Sequence, residues 1–528
     1  MLFGINISDL FDEKSRFPEV QTEYINAFLD SIWLEPNSHS ASLLIKAISQ
    51  LNQLKLSHRT RMHALELYRP SVFKIGQLLA RHFSSSTLPF PQETSQSASL
   101  AESLFKELSY GYHLALLDKK NKLLTFNLVS EASIALALIR IFEVQRELAM
   151  VYHLTYFSIN AQFWSNLNQL YFYASELGIE SVEISIGDSL TISPKLIYTQ
   201  ILLLQTANTK NLHPVDIALC ADYIVRNASS EMLFPAENQT VTEGFFISLK
   251  SNQPPLPIST IDKSCELPSV LYLNTSKLAA KVLLHIDCIN KGNIPSDDSV
   301  PKYEVSDQFI DLLSYLVKQW GINRERTHPR REQSRDIAIG ITLNAAHFFI
   351  NDQEIYSHPE SSNNSSADPD RVPNEQGKSP NYYPSTWKIL NSSVAGASLK
   401  RPIQAKESIQ IGDILCIQGA ISNKWNVASI RWASYKEDHQ IEIGTQIISE
   451  SAIATGARRA NQDNFENVLL MPGNDKLKVN PSIIGPCGMF EYGRLLEIDE
   501  MGKKTKIVMM YKLIQRTNSF EHFYYRYL

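Results

Sequence analysis

Two arginines four residues apart, Arg331 and Arg335, stand directly before an alternating apolar run, Ile337-Ala-Ile-Gly-Ile-Thr-Leu343. A guanidinium presents paired N–H donors in one plane, so such a pair suits phosphate oxygens or the O6/N7 edge of guanine. Much later, Asn391-Ser-Ser393-Val-Ala-Gly396 combines two short polar side chains with a glycine at which backbone can approach a ligand closely. Arg326 and Arg330 repeat the arginine spacing upstream. Arg331 and Arg335 are preferred because the second of them abuts the strand that begins at Asp336-Ile.

The sequence shows none of the common motifs of bond-breaking chemistry. Gly377-Lys-Ser lacks the upstream glycine of a phosphate-binding loop, and no dinucleotide fingerprint, zinc-protease helix or nucleophile elbow occurs. His285-Ile-Asp287 lies in an apolar helical segment and reads as structural. The five cysteines, Cys220, Cys265, Cys288, Cys416 and Cys487, have no zinc spacing, so no metal and a reduced, cytoplasmic compartment are expected. With 50 basic against 55 acidic residues the net charge is −5, which argues against a nucleic-acid polymer as partner and makes any anion site local.

These residues need a frame to hold them, and 528 residues are too many for one core. Residues 1–233 carry apolar positions at helical spacing, as in Val72-Phe-Lys-Ile-Gly-Gln-Leu-Leu79 and Ile134 to Leu148, and are expected to form an all-helical domain. The apolar window from Ala132 to Phe157 is interrupted by Arg140, Glu143, Arg146 and Glu147, so no membrane span is expected. The N-terminus has no basic region followed by an apolar core, and no secretory signal is expected. Residues 234–323 read as a mixed connector ending in an amphipathic helix from Val305 to Trp320, with Phe309, Leu312, Leu313, Leu316 and Trp320 on one face. Beyond residue 450 strands recur, over Asn467–Met471, Arg494–Ile498, Thr505–Ile514 and Phe520–Tyr527. That tail, 451–528, is expected as a β extension.

Arg331-Glu-Gln-Ser-Arg335 and Asn391-Ser-Ser393-Val-Ala-Gly396, in that order and with a strand straight after Arg335, resemble the PilZ domain, the bacterial receptor module for cyclic di-GMP. Val427–Trp432 and Ile441–Ile447 look like its closing strands. The resemblance implies an α+β protein in which residues 324–450 form a PilZ-like antiparallel β-barrel, interrupted near 352–385 by a polar insertion expected to be disordered. It also implies that Arg331 and Arg335 hold phosphates and guanine faces, Asn391 and Ser393 bond a guanine or phosphate, and Gly396 permits the turn. The protein is then expected to be a non-enzymatic cyclic di-GMP receptor that needs no cofactor and acts on a protein partner through its helical domain. The alternative is a degenerate PilZ-like interaction module that does not bind nucleotide.

Overall fold

The computed structural model describes residues 20–85, 87–123, 131–186, 190–235, 243–260, 269–295, 299–300, 306–321, 331–356, 382–403, 408–419, 424–436, 440–460, 462, 464–473, 479–499 and 505–528. The expected insertion near 352–385 and the arginine lead from 324 to 330, including Arg326 and Arg330, therefore fall largely outside the described residues. The chain divides into two compact units: residues 1–86 with 90–325, and residues 326–528 with 87–89.

The first unit begins with α1 (Thr22–Ile32), α2 (Asn37–Gln53), α3 (His58–Ser84), α4 (Gln92–Leu123), α5 (Glu131–Leu154) and α6 (Ala161–Glu176). A short antiparallel hairpin of β1 (Ile184–Ile186) and β2 (Leu190–Ile192) interrupts the helices, which resume with α7 (Pro194–Thr206) and α8 (Pro214–Asn227). Side-chain caps mark several starts, as where Ser57 accepts from Thr60 N and Ser193 from Leu196 N. The charges that interrupt the apolar window are paired inside the bundle: Arg140 reaches Glu66 at 2.8 Å and Glu143 at 2.9 Å, and Arg69 also reaches Glu143. A buried guanidinium survives only with such partners. The unit closes with β3 (Leu233–Pro235), β4 (Phe245–Ser248), β5 (Leu256–Pro257) and β6 (Val270–Leu273), in the order β3-β6-β4-β5, followed by α9 (Ser276–Asn290) and α10 (Asp307–Trp320). In α10 all five residues of the expected apolar face are buried.

The second unit holds two closed six-stranded barrels. The first comprises β7 (Arg331–Ile341), β8 (Ser385–Ser393), β9 (Gly396–Pro402), β10 (Ile414–Gln418), β11 (Trp425–Lys436) and β12 (Gln440–Ser449), ordered β10-β11-β12-β9-β8-β7. Antiparallel pairing of β10 with β7 closes it. Between β7 and β8 stands α11 (Leu343–Ile350). The chain turns into that helix at Thr342, whose φ of 93° is strained for a β-branched residue and whose hydroxyl caps Ala345 N. The apolar run ending at Leu343 is thus strand only to Ile341.

The expected β extension is a barrel in its own right, formed by β13 (Ile453–Arg459), β14 (Glu466–Met471), β15 (Ser482–Gly485), β16 (Leu495–Asp499), β17 (Thr505–Arg516) and β18 (Glu521–Tyr527) in the order β13-β14-β15-β18-β17-β16. Closure removes the exposed edges that a loose extension would carry. Helix α11 joins the two barrels. Its Leu343, Ala345, Ala346 and Phe349 lie in one buried cluster with Ile414, Cys416 and Val427 of the first barrel and Leu469, Ile484 and Phe520 of the second unit's C-terminal half.

Candidate ligand site

The two sequence motifs meet on neighbouring strands. Along the β7–β8 ladder Arg331 lies opposite Ser392 and Glu332 opposite Asn391, while the β8–β9 hairpin pairs Ser393 with Gly396 around Val394 and Ala395. The arginine pair and the Asn-x-Ser turn therefore occupy one end of the barrel although some sixty residues part them in the chain.

A register shift between Glu332 and Arg335 sets Gln333 and Ser334 against Leu390 alone. Such a bulge twists the strand and re-aims the side chains on either side of it. Two residues four apart would otherwise share a face. Beyond the bulge, Arg335 pairs with Ile389, Ile337 with Trp387 and Ile339 with Ser385. Opposed residues share a face, and Ile389, Trp387 and Ile339 are buried, so Arg335 stands at the exposed end of a row that leads into the core. A depression of about 370 Å³ runs from Arg335 along Ile337, Thr386 and Gln418. Outside, Asp336, Lys388, Lys400 and Glu442 follow one another across the strands, a charge-compensated surface.

Asn391 is half-buried, and its side-chain oxygen is buried without a hydrogen-bond partner. A lone acceptor of this kind costs about 1–3 kcal/mol unless something donates to it. Ser393 donates to the Gly396 carbonyl oxygen at 3.4 Å, a long bond that bridges the turn. Gly396 has no left-handed φ, so the turn does not need a glycine there for its backbone conformation. A Cβ at this position would collide with the backbone carbonyl oxygen of Thr445 on β12, and the glycine allows β9 to lie close there. The Thr445 hydroxyl also donates to Ala397 O at 3.1 Å, tying the hairpin down.

Trp387 belongs to the core, with its indole N–H donating to Ser385, and the buried Arg401 guanidinium lies 4.4 Å over its ring. Neither Thr445 nor Arg401 carries a local motif, and sequence reading missed both. His285 is structural as expected: its ring meets the Tyr223 hydroxyl at 2.9 Å and Ser299 Oγ at 3.3 Å. Among the described residues there is no metal-holding cluster of His, Cys, Asp and Glu, and no helix is long and apolar enough to cross a membrane.

Three family models fit successive stretches of the chain. They describe the N-terminal domain of the cyclic-di-GMP receptor FimW over residues 24–235, its middle PilZ domain over 245–370 and 354–453, and the FimW C-terminal beta-barrel domain over 452–528. The chain belongs to the FimW family. Its PilZ resemblance, read from Arg331 to Gly396, is borne out, and the middle-domain match spans β7 to β12. The cyclic-di-GMP receptor FimW of Pseudomonas aeruginosa is 22% identical over 549 residues, which cover 92% of this chain and 87% of the relative. The FimW family match also accounts for the second barrel, since a separate C-terminal barrel domain is matched there.

Proposed function

We propose that this FimW-family protein is a cyclic di-GMP receptor that binds the dinucleotide at the end of its first barrel and acts without turning it over. Arg331 and Arg335 grip phosphate oxygens or guanine edges, and a ligand N–H supplies the donor that the Asn391 side-chain oxygen lacks. The observation that carries this reading is the pairing of Arg331 and Glu332 with Ser392 and Asn391, beside that buried oxygen. A dianion with two guanines calls for bidentate cations at the rim of a rigid scaffold. A cytoplasmic setting suits the free thiols of Cys220, Cys288, Cys416 and Cys487.

The second reading, a PilZ barrel that has lost nucleotide binding and serves as an interaction module, draws on Ser393 and Gly396. Both have work within the fold, one across the turn and the other against Thr445. Isothermal calorimetry of the purified protein with cyclic di-GMP separates the two: saturable heat with the dinucleotide recovered intact supports the receptor, and no heat supports the module. Release of linear dinucleotide or GMP would defeat both.

Binding is further proposed to alter the arrangement of the helical unit through residues 321–335, since only ten residues part the end of α10 at Trp320 from the start of β7 at Arg331. Hydrogen exchange should then show ligand-induced protection at 331–335 and 391–396 together with a change in α10. Protection confined to the barrel would reduce the connection to a tether.

A further inference from the structure

The helical unit contains a cavity of about 710 Å³ over α5, walled by α4 on one side and α6 on the other. On α4 the lining residues are Lys106, Tyr110, His113 and Leu117; on α6 they are Gln162, Asn166, Gln169 and Tyr173. Each set follows the spacing i, i+4, i+7, i+11, the period of a straight stripe along a helix. Both walls are therefore continuous rows. Leu148 and Tyr152 of α5 form an apolar floor, anchored to α4 by the Tyr152 hydroxyl donating to Glu102 at 2.8 Å and to α6 by the edge-on Tyr152–Phe163 contact.

The described lining residues are nearly neutral: one ammonium stands among them, Lys106, held by Glu102 at 2.6 Å, and no carboxylate. His113 Nδ1 donates to the Ser109 carbonyl at 2.8 Å, and burial lowers the ring's pKa, which leaves Nε2 as an acceptor. Tyr110 and Leu117 are 56% and 53% exposed, a large apolar and aromatic surface along the upper wall. Opposite, Gln162, Asn166 and Gln169 are exposed amides; Gln162 Nε2 donates to Asn166 Oδ1 at 2.7 Å and Gln169 Nε2 to Ser165 Oγ at 3.0 Å, and each amide keeps a further N–H and a carbonyl lone pair for a ligand.

We propose that this groove binds an extended peptide of low net charge, seated by an aromatic or aliphatic side chain on the floor and by main-chain hydrogen bonds to the amides of α6. A phosphate or nucleotide would need more cations than the described lining residues offer. A peptide backbone alternates donors and acceptors, and a row of amides complements both. Length agrees as well: eleven residues of helix rise about 16 Å, which matches about five residues of extended chain at roughly 3.3 Å each. Tyrosine walls provide contact area at small cost in side-chain entropy. The inference concerns the helical unit alone and stands apart from the dinucleotide reading.

The test is to pan a phage library of random twelve-residue peptides against the full chain without nucleotide, then measure fluorescence polarisation of the enriched peptides. The control is Asn166→Ala/Gln169→Ala, two exposed helix positions at which alanine favours the helix, so the variant should keep the parent's circular dichroism and melting. Enriched sequences should share an aromatic or aliphatic anchor with few charges, and the double variant should bind them at least tenfold more weakly. Leu117→Asp, also exposed, should do the same. Failure to enrich, a consensus rich in acidic residues, or equal affinity for the parent and both variants would overturn the proposal.

Discussion

In the proposed reading, Asn391 sets ligand binding against stability at a single atom. Its buried, unsatisfied oxygen is a liability in the ligand-free barrel, and removing a lone buried acceptor is close to neutral or stabilising. Asn391→Ala is therefore expected to leave the ligand-free melting temperature unchanged or raised while weakening cyclic di-GMP binding at least tenfold. A stability loss beyond about 1 kcal/mol in urea melts would instead identify Asn391 as part of the turn. Arg335 behaves differently, being exposed at the end of its row. Arg335→Ala should cost about 2–4 kcal/mol of affinity by calorimetry with a stability change within about 0.5 kcal/mol. Arg335→Lys should restore little of it, because an ammonium lacks the planar fork. Equal losses of folding and affinity would argue against direct contact.

At the scale of elements, α11 does more than connect two strands. Phe349 stacks on Trp425 with ring centroids 4.5 Å apart, and Gly340 on β7 has no side chain because one would strike that phenyl ring and the Cys416 sulfur. The helix also reaches the second barrel, where His347 Nε2 meets the Thr455 carbonyl at 3.0 Å. Just beyond it, the Tyr356 hydroxyl donates to Asp499 at 2.7 Å. Phe349→Ala should thus cost about 3–5 kcal/mol, the usual range for a fully buried phenyl. Because the cavity opens in a shared core, exchange should accelerate in both β10 and β14 when deuterium uptake is followed by mass spectrometry. Faster exchange in the first barrel alone would show that the barrels do not stabilise each other through α11.

Over the whole molecule, pH acts through buried neutral histidines. Burial pushes His153 in the helical unit and His522 in the C-terminal unit down to about 4, and it lowers His347 as well, against a smaller opposing effect of its bond to Thr455. An unfolded histidine titrates near 6.5, so between about 6.5 and 4 the unfolded chain binds more protons than the folded one. Stability is full above that window and falls as pH drops through it, by up to about 3 kcal/mol for each strongly shifted ring. Glu147, Asp216 and Asp311 are shifted upward by burial and act in the opposite sense, but all three lie in the helical unit. The clearer loss is expected in the C-terminal unit, where urea unfolding followed by exchange of β15 and β18 peptides should shift to lower denaturant at pH 5 than at pH 7.5. An unchanged midpoint would mean that His347 and His522 accept protons without unfolding.

The sequence by itself determined whatever depends on neighbours in the chain. The face of α10 could be read from Phe309 to Trp320 because helical period is local, and the strand character of β11, β12, β14 and β17 followed from their own residue types. The residues of the candidate site were legible too, since guanidinium spacing and an Asn-x-Ser turn are patterns of type and order. Helix α11 was not, because eight residues hold too little periodicity to distinguish a helix from the end of an apolar strand. Only the tertiary structure closed β13 to β18 into a second barrel, a matter of which distant strands share hydrogen bonds. It alone placed Thr445 under Gly396, and it alone buried the Asn391 oxygen. Both depend on packing between β9, β12 and β8, and contacts of that kind leave no period in the sequence.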